Sequence, residues 1–343
     1  MTSRLSSPAT RVIGAAPRPQ PLPPAHYLDP QVHALEVERA LRHAWHAVGR
    51  VDQMPDPGNV LRTEILGEPL IVVRGAGELR ALSSPRASDE GARARLASLP
   101  ATDRQGNAAV EVWNGFVMVN LDAGADALGP QIAPLTAQLA PYALADRVQV
   151  DLLEVGADWN WKLSMEHFSR VSSPARRGAG GSPAARAIEG VIELDTNDAW
   201  SLLYANDRGG AAVRRSGLFP ASAGLPEAYV MRISALNVYP TLHLLADACT
   251  ALWLQIGVQG PQRHTLRWRL LLPRATAELA GMGVRLDHYR EILALVLEED
   301  LAALRKFSQA LAVRRRLPRR PPKQKSVQQL HRWLLQRVDA SAP

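Results

Sequence analysis

The spacing of apolar residues changes along the chain, and each change marks a different element. In DPQVHALEVERALRHAWHAVGR, Val32, Leu35, Val37, Leu41 and Trp45 recur at three- and four-residue steps. That spacing predicts one helix from about Pro30 to Ala47. The stretch ahead of it, up to about Pro24, is Pro-rich and has no apolar period, which predicts an extended arm. NVLRTEILGEPLIVVRGAGELRAL then carries β-branched runs broken at Gly67-Glu68-Pro69 and Gly75-Ala76-Gly77, a strand–turn–strand pattern. AAVEVWNGFVMVNLD repeats it, with Asn114-Gly115 as the hairpin turn. A segment rich in Ala, Pro and Gly, about 123–148, is expected to be a linker.

Past the linker, alternation predicts a strand around Val148–Val155, and Trp161, Leu163, Met165 and Phe168 predict a helix. A Gly/Ala/Arg loop (Arg176–Arg186) follows. Strands are expected near Ala187–Leu194, Ala199–Ala205, Tyr229–Val238, Leu242–Ala246, Ala251–Val258 and His264–Leu272. Residues 284–316 carry Leu293, Val296, Leu297, Leu301, Leu304 and Phe307 at helical spacing, and SVQQLHRWLLQRV predicts a last helix. The fold class is α+β: a small β unit, then an antiparallel sheet wrapped on a long helix. The expected boundaries are an arm over 1–26, a first domain over 27–125 and a second over 126–343.

Composition restricts the chemistry more than the fold. Cys249 is the only cysteine in 343 residues, so a disulfide framework and a CxxC motif are both excluded. A thiolate-held iron–sulfur cluster needs at least two cysteines even with two histidine partners, so this chain cannot hold one alone. No histidine occurs between His46 and His167, which leaves the polar loop 83–107 without nitrogen or sulfur ligands for a transition metal. No apolar run reaches the roughly 18 residues of a membrane span. The N-terminus lacks an apolar signal core, so a cytoplasmic protein is expected. The formal charge is +7, with much of the excess in RRRLPRRPPKQK, residues 314–325. That run contains no aromatic residue and reads as a solvated tail, so no nucleic-acid partner is expected.

The order of these pieces resembles the α-subunit of the Rieske non-haem iron oxygenases, from about Tyr27 to Trp333. YLDPQVHALEVERALRHAWHAVGRVDQMPDPGNV is similar to that family's opening helix, GEPLIVVRGAGELRAL to the first strands of its Rieske domain, and WNGFVMVNLD to that domain's exit. NWKL with Glu166 and Phe168 is similar to the start of its ligand helix. VYPTLHLLADACTALWLQIGVQGPQRHTLRWRLLLP is similar to its catalytic sheet, and EEDLAALRKFSQAL to the helix that supplies an acidic iron ligand. The resemblance implies a Rieske-like β domain followed by a helix-grip, START-like domain.

The departures from that pattern carry the functional expectation. The family holds its cluster on Cys-x-His and Cys-x-x-His pairs, where this chain has SSPRASDEGA and nothing resembling a second loop. Its mononuclear iron takes two histidines and a carboxylate. Carried over from Glu166, the usual Asn is His167, the acidic bridging residue is Arg170, and the two histidine positions fall on Ser173 and Gly178. Only the acidic position, assigned to Asp300, keeps its residue type. Glu166 and His167 cannot substitute as a ligand pair, because adjacent helical residues point about 100° apart. The expectation is therefore a chain with no cluster, no mononuclear iron and no catalytic residue. Asp300 is expected at a helix surface or in an ion pair with Arg170 or Arg305. His243, His264 and His288 are expected on the surface or in satisfied core positions. Cys249 is expected as an inert buried strand residue, and Trp45, Trp159, Trp161 and Trp253 as core.

Three functions remain open. The first is a structural or regulatory subunit bound to a catalytic Rieske oxygenase α-subunit in a trimer-based hetero-oligomer, with Arg-rich segments 176–186 and 314–320 as contacts. The second is a binding protein for a small apolar molecule, with Leu203, Val238, Leu244 and Trp253 lining the pocket. The third is an oxygenase whose site is completed by another chain.

Overall fold

The structure, a computed structural model, describes residues 21–83, 107–169, 188–193, 199–207, 217–313 and 325–339. After one helical turn at Ala25–Leu28, helix α1 (Pro30–Glu36) starts where the Asp29 carboxylate accepts the Gln31 N–H at 2.8 Å and Pro30 takes the first helical position. It continues as a π-turn through Leu41 and stops there. The expected helix to Ala47 is thus too long. His46–Arg50 is strand β1, paired antiparallel with β6. Trp45 fits the helical period, but strand pairing and the bond from His46 Nε2 to the Leu41 carbonyl (2.8 Å) decide the backbone.

Strands β2 (Val60–Ile65), β3 (Glu68–Arg74), β4 (Leu79–Ser83), β5 (Asn107–Trp113) and β6 (Phe116–Asn120) complete a six-stranded antiparallel sheet, ordered β1-β6-β5-β4-β3-β2. Asn114 and Gly115 have φ of 49° and 80°, as a two-residue hairpin turn requires. The segment expected as a linker contains helix α2 (Leu128–Leu139), whose Leu128, Ile132, Leu135 and Leu139 are buried. Its start is capped from strand β5, where the Glu111 carboxylate accepts the Leu128 and Gly129 N–H groups at 2.9 and 3.3 Å.

A second sheet, β7 (Arg147–Ala157), β8 (Ile188–Glu193), β9 (Trp200–Asp207), β10 (Arg232–Val238), β11 (Leu242–Ala246), β12 (Ala251–Gly260) and β13 (Arg263–Pro273), runs β7-β13-β12-β11-β10-β9-β8, antiparallel throughout. Glu227–Val230 is a helical turn, so β10 begins later than expected. Helix α3 (Trp161–Phe168) lies between β7 and β8 in sequence; α4 (Met282–Val313) and α5 (Lys325–Asp339) end the described chain.

The second sheet has two apolar faces because side chains alternate along each strand. Leu254, Ile256, Leu266 and Trp268 pack with α3, α4 and α5 through Trp161, Leu297, Leu304, Leu330 and Trp333. Leu236, Leu244 and Trp253 on the opposite face pack with α2 and with Phe116 of the first sheet. The buried Arg50 guanidinium joins the two sheets. It donates to the carbonyls of Asn114 (3.1 Å), Leu144 (2.8 Å) and Arg147 (2.9 Å), and to Asp52 (2.9 Å). No described helix is long and apolar enough to cross a membrane.

Candidate functional site

Helix α3 is built from the NWKL motif outward, and nearly all of it is buried. Asn160 caps it by accepting the Lys162 N–H (3.1 Å), and its amide nitrogen donates to the Pro261 carbonyl (2.8 Å). Trp161 and Leu163 enter the core. Lys162, buried to the ammonium, donates to Glu36 of α1 at 2.6 Å, and Glu36 also binds His26 at 2.8 Å. An ion pair this deep needs both partners in place, because either charge alone would be stranded out of water.

Ser164 faces β13. Its Oγ accepts from Trp159 Nε1 (2.8 Å) and lies 2.9 Å from His264 Nε2, while His264 Nδ1 donates to the Trp159 carbonyl at 2.9 Å. Since Nδ1 must carry the proton, Nε2 is the acceptor and the serine hydroxyl donates to it. Burial pushes His264 down to about 4, so it stays neutral. The arrangement has the form of an activated serine, but both side chains are closed off in the core.

Glu166 and His167 diverge as helical geometry demands. The Glu166 carboxylate accepts from the Tyr27 hydroxyl and from His331 Nε2 of α5 (3.0 Å). His167 Nε2 lies 3.0 Å from a carboxylate oxygen of Asp300 in α4, both side chains being about nine-tenths buried. Asp300 is thus paired with His167, while Arg305 reaches Asp158 at 3.5 Å; the other expected partner, Arg170, is not among the described residues. Arg170, Ser173, Gly178 and the segments 176–186 and 314–324 lie outside the described residues.

Past the helix, Ser169 opens a buried polar chain. Its hydroxyl donates to Asn237 Oδ1 (3.0 Å), which also receives His243 Nδ1 (2.8 Å). Asn237 Nδ2 donates to Ser201 Oγ at 2.9 Å, 2.9 Å from the Tyr239 hydroxyl, which in turn bonds the Ser326 carbonyl at 2.9 Å. Burial pushes His243 down to about 4 and raises Tyr239. His243 and His264 are thus satisfied core residues, and His288 is exposed near Glu291. Cys249 is buried, but in the β11–β12 turn, where Asp247 accepts its N–H at 2.9 Å. Trp45, Trp159, Trp161 and Trp253 are core residues.

Of the pocket candidates, Leu244 and Trp253 sit in the core layer against α2, and Leu203 is buried on the opposite face of the sheet. Val238 alone lines a described cavity, of about 300 Å³. Sequence reasoning missed Tyr27, Glu36 and His331. Lys162 inside an apolar run was one available signal, since it demands a buried anion. Nothing local points to His331, which lies 165 residues from Glu166.

Among the described residues, the donors present do not make up a two-histidine, one-carboxylate set. His167 and Asp300 bind one another, and among the described residues no three of His, Cys, Asp or Glu stand close enough to share an ion. A cluster is equally unsupported by a single cysteine.

Comparison with known proteins fixes the fold class. No family model matches the chain. A 54-residue stretch is 44% identical to the glycine betaine monooxygenase oxygenase subunit of Chromohalobacter salexigens, covering 16% of this chain and 12% of that relative. Among solved structures, the quaternary ammonium Rieske monooxygenase CntA with γ-butyrobetaine superposes with a TM-score of 0.67 at 15% identity, over 92% of this chain and 94% of that one. Naphthalene 1,2-dioxygenase from Rhodococcus sp., with indole bound, gives 0.66 at 17% identity over 94% and 95%. The chain has the fold of the Rieske oxygenases.

Proposed function

We propose that this chain is a non-catalytic subunit of a heteromeric Rieske-type oxygenase, pairing with a catalytic α-subunit of the same fold. The observation that carries the reading is the His167–Asp300 pair. The carboxylate that the resemblance assigns to iron is bound to a neighbouring imidazole, and the sequence has Ser173 and Gly178 at the two histidine positions. The lone cysteine supports the same reading for the first β unit. The START-like description of the second unit and a domain division near residue 126 belong to this proposal. A fold kept over nearly the whole length of catalytic relatives, with its ligand residues replaced, suits a partner that keeps the shape of an assembly. One of those relatives is described with inter-subunit electron transfer.

The test is to purify the tagged chain from its native cell under mild conditions, then measure mass, composition and iron. A second Rieske-type chain carrying the iron, in fixed ratio, is the expected result. A colourless homo-oligomer with no companion overturns the proposal.

A further inference from the structure

The arginines that reach the interior of this protein spend their donors on named acceptors. Arg50 donates to three carbonyls and to Asp52. Arg147 donates to the Tyr142 carbonyl (3.0 Å) and to Ser222 Oγ (3.0 Å), and Arg269 to Asp151 at 2.9 Å. Arg232, the first residue of β10, is different. It is half-buried, yet it has neither a hydrogen bond nor an ion pair among the described residues.

Its guanidinium is held in place all the same. The central carbon stands 4.0 Å from the centre of the Tyr204 ring and 4.4 Å from that of Tyr229. Sheet register explains the first contact: Ser234 pairs with Tyr204 across β10 and β9, and Arg232 lies two residues away on the same face. Both rings are tied to the end of α2. The Tyr204 hydroxyl donates to Gln138 Oε1 at 2.7 Å, and the Tyr229 hydroxyl to the Gln138 carbonyl at 3.2 Å. Tyr142 packs edge-on against Tyr229 at 5.3 Å and bonds Ser234 Oγ at 2.7 Å.

The guanidinium is sealed unevenly. Its Nε has no solvent contact and no acceptor, whereas the two terminal nitrogens are not closed off. The ring contacts replace part of the lost hydration of the charge but accept no N–H. A charged donor withdrawn from water without an acceptor is a deficit that folded proteins seldom leave standing.

We infer that the open end of Arg232 binds the carboxylate of a small, singly charged ligand. The end of a planar fork presents two parallel N–H groups, which match the two oxygens of a carboxylate. Because the rings fix the fork beforehand, little side-chain freedom is lost on binding. A single charge follows from the surroundings. Arg147, which donates to the Tyr142 carbonyl, has its own fork engaged and adds no second cation for a phosphate dianion.

The test uses benzoate, neutral benzamide and inorganic phosphate as probes against the full chain at fixed ionic strength. Nitrogen-15 spectra of the arginine Nε–H groups locate the site, the Arg232 signal being the one missing from Arg232→Lys. Ligand-observed NMR gives the affinities. Benzoate is expected to move the Arg232 signal saturably and to bind at least about tenfold more tightly than benzamide or phosphate. Arg232→Lys keeps the charge without the fork and is expected to weaken benzoate by about tenfold. Tyr229→Leu keeps the fork but removes one ring, and a loss of about threefold is expected. An Arg232 signal that benzoate leaves unmoved overturns the inference. So does benzamide or phosphate binding as tightly as benzoate, or benzoate affinity unchanged in Arg232→Lys. None of these results bears on the subunit reading, which rests on other residues.

Discussion

His46, His243 and His264 are held neutral by burial, each pushed down to about 4. In the unfolded chain each takes up a proton near pH 6.5. Between about pH 6.5 and 4 the unfolded state binds protons that the native state refuses, so stability is present above that window and lost as pH falls through it. At about 1.4 kcal/mol per unit, the full loss is on the order of 3 kcal/mol per histidine. Denaturant midpoints are expected to fall steeply between pH 7 and 5, and a flat profile would contradict the burial argument. A second residue-scale contrast lies between two glycines. Gly115 has φ +80°, and an added Cβ would come within 2.5 Å of Arg50 Nη2. Gly58 has φ +87° with nothing within 4 Å. Gly58→Ala should cost about 1 kcal/mol of left-handed strain, and Gly115→Ala at least about 1 kcal/mol more because Arg50 cannot yield. Equal losses in urea melts would remove Arg50 from the explanation.

Helix α3 spans only Trp161–Phe168 and could not hold its shape alone in water. Its polar side chains reach four elements: Lys162 to α1, Ser164 to β13, Glu166 to α5 and His167 to α4. Lys162→Met should cost about 3–5 kcal/mol, because it leaves the Glu36 carboxylate buried with a single imidazole partner. Adding Glu36→Leu should recover a large part of that loss. If the double variant is as unstable as the single one, the ion pair is not what ties α1 to α3. The motif NWKL was visible as the start of this helix, and Trp161, Leu163 and Met165 followed from their spacing. The anchors of its charged residues were not visible, because Glu36 and His331 are far from it in sequence.

At the scale of the whole molecule, electron delivery needs a cluster as well as an iron site. Ser173→His with Gly178→His is therefore expected to yield no oxygenated product even where the variant takes up iron. Iron content and product formation measured together check this, and turnover by that double variant alone would overturn the expectation. Apart from β1, the order of strands in both sheets was legible because alternation and Gly-containing turns are local signals. Helix α2 was missed although Leu128, Ile132, Leu135 and Leu139 carry helical spacing, since Pro134 and the surrounding Ala and Gly disguised it. The end of α1 was misplaced because β1 pairs with a strand some 70 residues on.

The sequence by itself determined most strands and the helices α3, α4 and α5, that one cysteine cannot hold a cluster, and that the chain resembles the Rieske oxygenases. Those conclusions depend on residue type, local period and motif order. Tertiary structure alone decided which polar side chains meet: Asp300 with His167, Glu166 with His331, Lys162 with Glu36. It also decided which face of the second sheet each strand residue occupies, placing Trp253 in the core against α2 and Val238 beside the cavity. Such pairings arise from sheet register and helix packing across the chain, and no local pattern of residues encodes them.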